Sequence, residues 1–336
     1  MQPSIEALKT PSAMWRLNSA TAAALVLVTG TAALPLLPFV DSYILSIVVR
    51  ALLFIALGQA WNVVAGIGGQ LSLGHGVFFG LGAYATALLF NYWQVNPWLG
   101  VAIGIAISIT VALLMGAVTL RLRGVYFALA TVVISLGFEK LARHYSELTG
   151  GEAGLAVRFL GDSWRVMQSR GPTPFVWLTL SVVLCYWLLT RWLLRSRFGL
   201  ELQAVRDDED AAAAAGVAVL RTKLAGLSLS AAMTALVGTL HVQFYLTIDP
   251  GAAFGLFQAI QIQLPSLIGG LGTAGGPVIG GAVMVLASEL TNWAATKAGI
   301  DGIDVLAYGV ILLVVVIGAP TGILGWLQAR SKRGLG

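Results

Sequence analysis

Three histidines, one cysteine, 20 basic and 15 acidic side chains are the reactive groups spread over 336 residues. They form no recognisable catalytic set. His144 and His241 fall near the ends of apolar runs, and no acid or cysteine stands at ligand spacing from His241. The lone Cys185 lies inside an apolar run, so no disulfide framework and no cysteine-rich metal site is possible within one chain. Paired carboxylates are missing from the middle of every apolar run. Arg50, Asp249 and Glu289 sit near run ends, where snorkelling or capping accounts for them. A proton-coupled carrier calls for a buried acid or a histidine relay, and none is evident. The stretch GLGTAG (Gly270 to Gly275) fits the glycine spacing of a dinucleotide fingerprint, but that motif needs a strand before it and a βαβ unit around it. Both flanks here are apolar enough for membrane helices, so a turn between two spans is the better reading. Nothing matches G-x-x-x-x-G-K-[ST]. The chain is expected to hold no cofactor, no metal and no catalytic residue of its own.

Two stretches stand out from the apolar background. The first is RDDEDAAAAAGV (Arg206 to Val217). Acids near a helix N-terminus meet the positive end of the macrodipole. Alanine has the highest helix propensity, and Gly216 suits a C-terminal stop. The spacing predicts a short charged surface helix between two spans. It is either a solvated loop helix or a rigid face presented to a cytoplasmic partner. The second is GGQLSLGHGVFFGLGAYATALL (Gly68 to Leu89). Glycines at this density weaken a regular helix. A broken helix at membrane depth is tolerated where it lines a cavity or is buried in protein. Gln70, Ser72, Gly74, His75 and Gly76 lie on that segment, with polar groups that a polar solute could meet. The competing reading makes His75 a packing histidine and the glycines close helix contacts.

The elements that must position these stretches follow from composition. The chain is 57% hydrophobic and 10% charged, where soluble domains carry about 25% charged residues. An all-α, polytopic transmembrane bundle is expected. Runs near the roughly 20 residues of a membrane helix fall at 19–40, 43–65, 70–90, 98–120, 124–144, 173–194, 223–247, 255–271, 274–292 and 303–326. That makes about eight to ten spans, because the short, glycine-rich 255–271 either crosses or re-enters. The first run is too long for a signal-peptide core and is read as a retained span. With the N-terminus inside, Arg121, Arg123, Arg195, Arg197, Arg206, Lys223 and the basic residues of both ends fall in the cytoplasm. Both termini are then cytoplasmic, and 145–172 is a long outer segment. The net charge of +5 is scattered at run ends and does not suggest nucleic acid. Gly76 with Gly80, and Gly276 with Gly280, give two G-x-x-x-G pairs, the spacing that lets helices approach closely in lipid. They suggest two related halves.

The segment RFGLELQAVRDDEDAAAAAGV (Arg197 to Val217) resembles the cytoplasmic coupling segment of ABC-importer permeases of the branched-chain amino acid family. Glu209, Ala211, Ala212 and Gly216 stand at the Glu, Ala, Ala and Gly positions of a loose EAA motif, and Asp210 stands where an apolar residue is expected. GGQLSLGHGVFFGLGAYATALL, LRLRGVYFALATVVISLGFE (Leu120 to Glu139), LTGGEAGL (Leu148 to Leu155) and IGGLGTAGGPVIGGAVM (Ile268 to Met284) are similar in the same order, so the likeness covers most of the chain. It is closer to the SLGHG-bearing member of two unlike permeases. The resemblance implies one permease domain over 1–336 with a coupling segment at 198–218. It implies coupling to an ATPase through Arg206, Glu209, Ala211, Ala212 and Gly216, and a translocation pathway near Gln70, Ser72, Gly74, His75, Gly76 and Tyr126. It also implies a homologous second permease, two ATPase subunits carrying ATP and Mg, a periplasmic substrate-binding protein, and a place among the lipids of the bacterial inner membrane. Branched-chain or related hydrophobic amino acids are the implied solutes, with urea or short amides as the alternative. A stand-alone carrier or channel leaves the alanine-rich helix unexplained, and an intramembrane enzyme lacks its catalytic cluster. "TGGE" (Thr149 to Glu152) is turn-prone and suits either contact with the binding protein or a cover over the outer vestibule.

Overall fold

The computed structural model describes residues 30–38 and 40–298, with Gly309 and residues 322–325. The expected spans 19–40 and 303–326 therefore fall largely outside the described residues. The described chain is a helical bundle. Helix α1 (Ser42–Asn62) continues through a π-helical turn, Val63–Ile67. A non-helical stretch follows, then α2 (His75–Trp93), α3 (Pro97–Thr119), α4 (Val125–His144) and α5 (Thr173–Leu193). Two short helices, α6 (Arg197–Asp207) and α7 (Glu209–Ala214), lead into α8 (Val219–Tyr245). Then come α9 (Pro250–Phe254), α10 (Leu256–Gly269) and α11 (Gly276–Ala298). The only named strands among the described residues are β1 (Leu155–Ala156) and β2 (Thr247–Ile248), paired antiparallel with Leu155 opposite Ile248.

Six of these helices are long and apolar enough to cross a membrane: α1 with its π-turn, α3, α4, α5, α8 and α11. Lipid offers backbone groups no partners, so apolar segments of this length must satisfy them internally as helices. The 23 residues of α3 rise about 35 Å at 1.5 Å each, enough for a hydrocarbon core of about 30 Å. The chain is thus a polytopic helical membrane protein. Exposed aromatics cluster at one end of the bundle, with Tyr92, Trp93, Trp98 and Trp164 all exposed. The indole Nε1 of Trp98 donates to the Trp164 carbonyl at 2.8 Å. Such rings settle at the headgroup level.

Two expected spans take a different form. The run at 70–90 becomes helical only at His75, because 68–74 is held in a non-helical path by side-chain contacts. The run at 255–271 is also interrupted. Helix α10 has 14 residues, about 21 Å at the helical rise, which is short for a span. It joins α9 across an extended residue, Gly255. The pair still traverses the bundle. Its start follows β2, which lies beyond the C-terminal end of α8 and pairs with β1. The turn after it, at Gly272, meets Gly66 and Arg206, at the end of the bundle where α8 begins. This segment therefore crosses in two pieces.

Close helix contact centres on α8, which packs on α2, α3 and α1. A Cβ on Gly82 would overlap the Ala235 backbone, and one on Gly238 would overlap the Phe79 carbonyl. Thr86 and Thr239 meet at 3.0 Å in the same seam, and both hydroxyls donate to the Gly82 carbonyl. Small residues with hydroxyl partners are the usual adhesive between helices in lipid. The two G-x-x-x-G pairs both face the α9–α10 stretch. Gly76 and Gly80 lie against Phe254, and Gly280 lies against the Pro265 carbonyl. Toward the N-terminal end of α1, Arg50 pairs with Glu289 of α11, which also accepts from the Tyr43 hydroxyl at 2.9 Å. An ion pair between spans, rather than snorkelling, explains both residues. Asp249 caps α9 by accepting from the Ala252 amide at 2.8 Å.

Candidate functional site

The segment 197–217 is built by its own caps. Ser196 starts α6 by accepting from the Gly199 amide at 3.1 Å. Asp208 is extended at φ −158°, and its carboxylate accepts from the amides of Asp210 and Ala211 at 2.9 and 3.0 Å. It is the N-cap of α7. One expected helix is therefore two, broken at Asp208, with Asp207 closing the first. Gly216 sits at φ +86°, with Val217 bonded to the Ala212 carbonyl and Gly216 to that of Ala213, both at 3.0 Å. These are the two bonds of a Schellman stop, which needs a left-handed residue where glycine stands.

The site residues divide by facing. Ala211, Ala213, Ala214, Ala215 and Gly216 are exposed, whereas Ala212 is buried beneath α7. Glu209 turns inward. Its carboxylate pairs with Lys223, an α8 side chain almost sealed from solvent, and stands 3.5 Å from Arg123. Asp210 pairs with Arg123 at 3.0 Å on the surface. That guanidinium holds the Asp210 carboxyl below the usual carboxylate range, first by hydrogen bonding and then by charge, and is itself raised in turn. Arg206 lies along Gly69 and donates from Nη1 to the Gly66 carbonyl at 3.2 Å. Helix α7 is thus pinned to the α3–α4 turn and to α8, and α6 to the end of α1.

Beyond Gly66 lies the broken stretch. Gln70 donates its amide to the Val64 carbonyl at 3.0 Å, folding the chain back. The Ser72 carbonyl accepts from Trp61 Nε1 at 2.7 Å. His75 is buried, with Nδ1 3.2 Å from Ser72 Oγ and Nε2 2.7 Å from Ser230 Oγ. Ser230 Oγ donates to the Ala60 carbonyl at 2.6 Å, so Nε2 of His75 is the donor in its bond to Ser230. Gly74 approaches Thr131, whose hydroxyl accepts from the Leu73 amide at 3.0 Å, and Gly76 approaches Ser135. Helix α2 therefore begins inside the bundle, at the depth of Ala60 and Ser230. Gln70, Ser72, Gly74, His75 and Gly76 are gathered there, with both ring nitrogens of His75 taken up by the chain itself. Tyr126 is 73% exposed and stands apart from them. Trp61, Asn62, Thr131 and Ser230 complete this node. Sequence reading passed over them, since a single hydroxyl or indole in an apolar run carries no spacing signal. Among the described residues, no group of three or more His, Cys, Asp or Glu could hold a metal ion.

This architecture defines a multi-pass membrane protein with a helix broken inside the bundle and a capped surface helix strapped to that break. Comparison with known proteins is specific. The chain belongs to the branched-chain amino acid transport system / permease component family, which matches residues 43–319. It is similar to the high-affinity branched-chain amino acid transport system permease protein LivM of Salmonella typhimurium, at 27% identity over 313 residues, 85% of this chain and 71% of the relative. It is also similar to the permease protein LivH of the same kind of system in Escherichia coli, at 26% identity over 285 residues, covering 81% and 90% of the two chains. A xylose transport system permease protein, XylH of Escherichia coli, shares 29% identity over 197 residues, 55% of this chain and 44% of its own. No solved structure matches.

Proposed function

We propose that this chain is one permease subunit of an ATP-driven importer in the bacterial inner membrane, and that its solutes are branched-chain or related hydrophobic amino acids. The observation that carries the reading is the capped helix Glu209–Ala214. Its exposed alanine face is a flat docking surface, and its charged residues tie it to the core of the bundle. A second, homologous permease completes the pathway, and similarity to both LivM and LivH relatives supports that pairing. Two ATPase subunits bind ATP and Mg and grip the alanine face. A periplasmic binding protein delivers the solute to the outer segment 145–172, where Glu152 of the TGGE turn pairs with Arg143 at 2.6 Å. Closure of the ATPase pair moves α6 and α7, and the bundle alternates its access around the broken stretch at 68–76. The free energy comes from differential contact of the ATPases with two states of the bundle.

Reconstitution tests this directly. The chain is placed in proteoliposomes with its second permease, both ATPases and the binding protein, and leucine uptake is followed with and without enclosed ATP. Uptake that needs ATP and the binding protein supports the proposal. Leucine flux through the chain alone, indifferent to ATP, contradicts it and favours a stand-alone carrier.

A further inference from the structure

Arg206, part-exposed at the end of α6, reaches the place where three breaks in helical structure meet. Its Nη1 donates to the Gly66 carbonyl at 3.2 Å. Its aliphatic stem lies on Gly69, where the backbone has φ +70° and a Cβ would overlap the side chain. Its guanidinium also borders Gly272, in the turn between α10 and α11. Asp207 holds the other side of the guanidinium at 2.9 Å. The charge is thus paired within α6, while Nη1 is left for α1.

The acceptor has a physical reason to want that N–H. Gly66 belongs to the π-helical turn that ends α1, and the last carbonyls of a helix lack intrahelical donors. A cation at a helix C-terminus is also favoured by the macrodipole. π-turns inside α-helices recur where a helix must yield locally. One turn earlier on α6, buried Leu202 lies on Gly68 and Gly226. Residues four apart share a helix face, so Leu202 and Arg206 seat α6 on the end of α1. The contact then runs on. Asn62, buried at the end of α1, accepts from the Gly272 amide at 2.8 Å and donates to the Thr273 carbonyl at 3.0 Å. Thr273 Oγ1 links Gly270 and Gly276 at 2.9 and 3.0 Å.

We infer that Arg206 is a positioning residue that transmits movement of the coupling segment to the α1–α2 break and, through Asn62, to the α10–α11 turn. Both breaks then move as one unit when α6 moves. Arg206 does its work inside this chain and is not part of the surface that an ATPase grips. The inference rests on the importer reading above, because it needs a partner that pushes on α7. Arginine is suited to the task, since its planar fork meets Asp207 and the Gly66 carbonyl together, whereas a lysine offers one compact ammonium.

The test uses the complete complex in proteoliposomes, with ATP hydrolysis and leucine uptake read in the same vesicles. Arg206→Gln is expected to lower uptake at least tenfold while hydrolysis stays within about twofold, so the ATP used per leucine rises. Gly69→Ala, whose added methyl meets Arg206 and not α7, is expected to raise the same ratio from the other side of the contact. The double substitution is expected to be little worse than either alone, as for residues acting through one contact. If Arg206→Gln fails to assemble, Gly69→Ala carries the same reading. A proportional loss of hydrolysis and uptake would make Arg206 an ATPase contact and overturn the inference. An unchanged ratio in Gly69→Ala would overturn it as well. A wild-type complex without ATP-dependent uptake would instead overturn the importer reading.

Discussion

Lys223, at the start of α8, places its ammonium on the carboxylate of Glu209, the first residue of α7. The lysine side chain is 3% exposed and the glutamate 25%. One member of the pair is therefore inside the protein and the other at its edge. Removing the glutamate strands a buried charge, whereas removing the lysine leaves a carboxylate that water and Arg123 can still reach. Glu209→Gln is expected to destabilise the chain by about 2 kcal/mol, below the range for a fully buried pair. Lys223→Met should cost much less. Thermal unfolding of the purified chain in detergent measures both, and equal losses would contradict this asymmetry.

The Asp210–Arg123 pair has a defined pH signature. Its carboxyl is lowered from an ordinary value of 3.8. Its contribution is therefore present above that value and disappears as pH falls through the lowered one. Both groups face water, so the effect is small and screened by salt. Wild type and Asp210→Asn should differ slightly in unfolding temperature at pH 7 and converge below about pH 4. A difference that grows on acidification would reverse the assignment.

Helix contact at Gly238 is expected to be unforgiving. A side chain there meets the Phe79 carbonyl, while a Cβ on Gly137 of α4 would have nothing within 4 Å. Gly238→Val should cost upwards of about 3 kcal/mol by overpacking and reduce the folded yield in membranes. Gly137→Ala should leave unfolding temperature unchanged. Comparable losses at both sites would contradict the packing described.

His75 is expected to act as a brace. His75→Ala leaves Ser72 and Ser230 without their ring partners and opens a cavity, at a cost of about 2–4 kcal/mol. Ser230→Ala also removes the donor to the Ala60 carbonyl and should destabilise in the same direction. Their effects should be markedly non-additive, since they share one network. Additive losses in thermal unfolding would show that the two residues act separately.

Much of this was legible in the residues themselves. Apolar runs near 20 residues gave the membrane helices because lipid admits few alternatives. The acids, alanines and Gly216 gave a short capped helix because each favours one position in it. The glycines around Ser72 and His75 gave the broken stretch. Other features depend on tertiary contact and had no local signal. Asp208 splits the segment into α6 and α7 because its carboxylate finds two amides, and a neighbouring aspartate looks the same in sequence. Arg50 and Glu289 are far apart in the chain and meet only when α1 packs on α11. Ala212 differs from its neighbours solely in facing, which an alanine run cannot reveal.

In the proposed importer the exposed alanines of α7 touch a nucleotide-hydrolysing partner. Site-directed cross-linking tests this contact most directly. The native cysteine, Cys185 of α5, is first replaced by serine, and Ala214→Cys is introduced at the exposed end of α7. Treatment of the assembled complex with a short bifunctional thiol-to-amine reagent should join this chain to an ATPase subunit, with a yield that changes when ATP is bound. Exclusive adducts with the binding protein, or no ATPase adduct from an intact complex, would contradict the account.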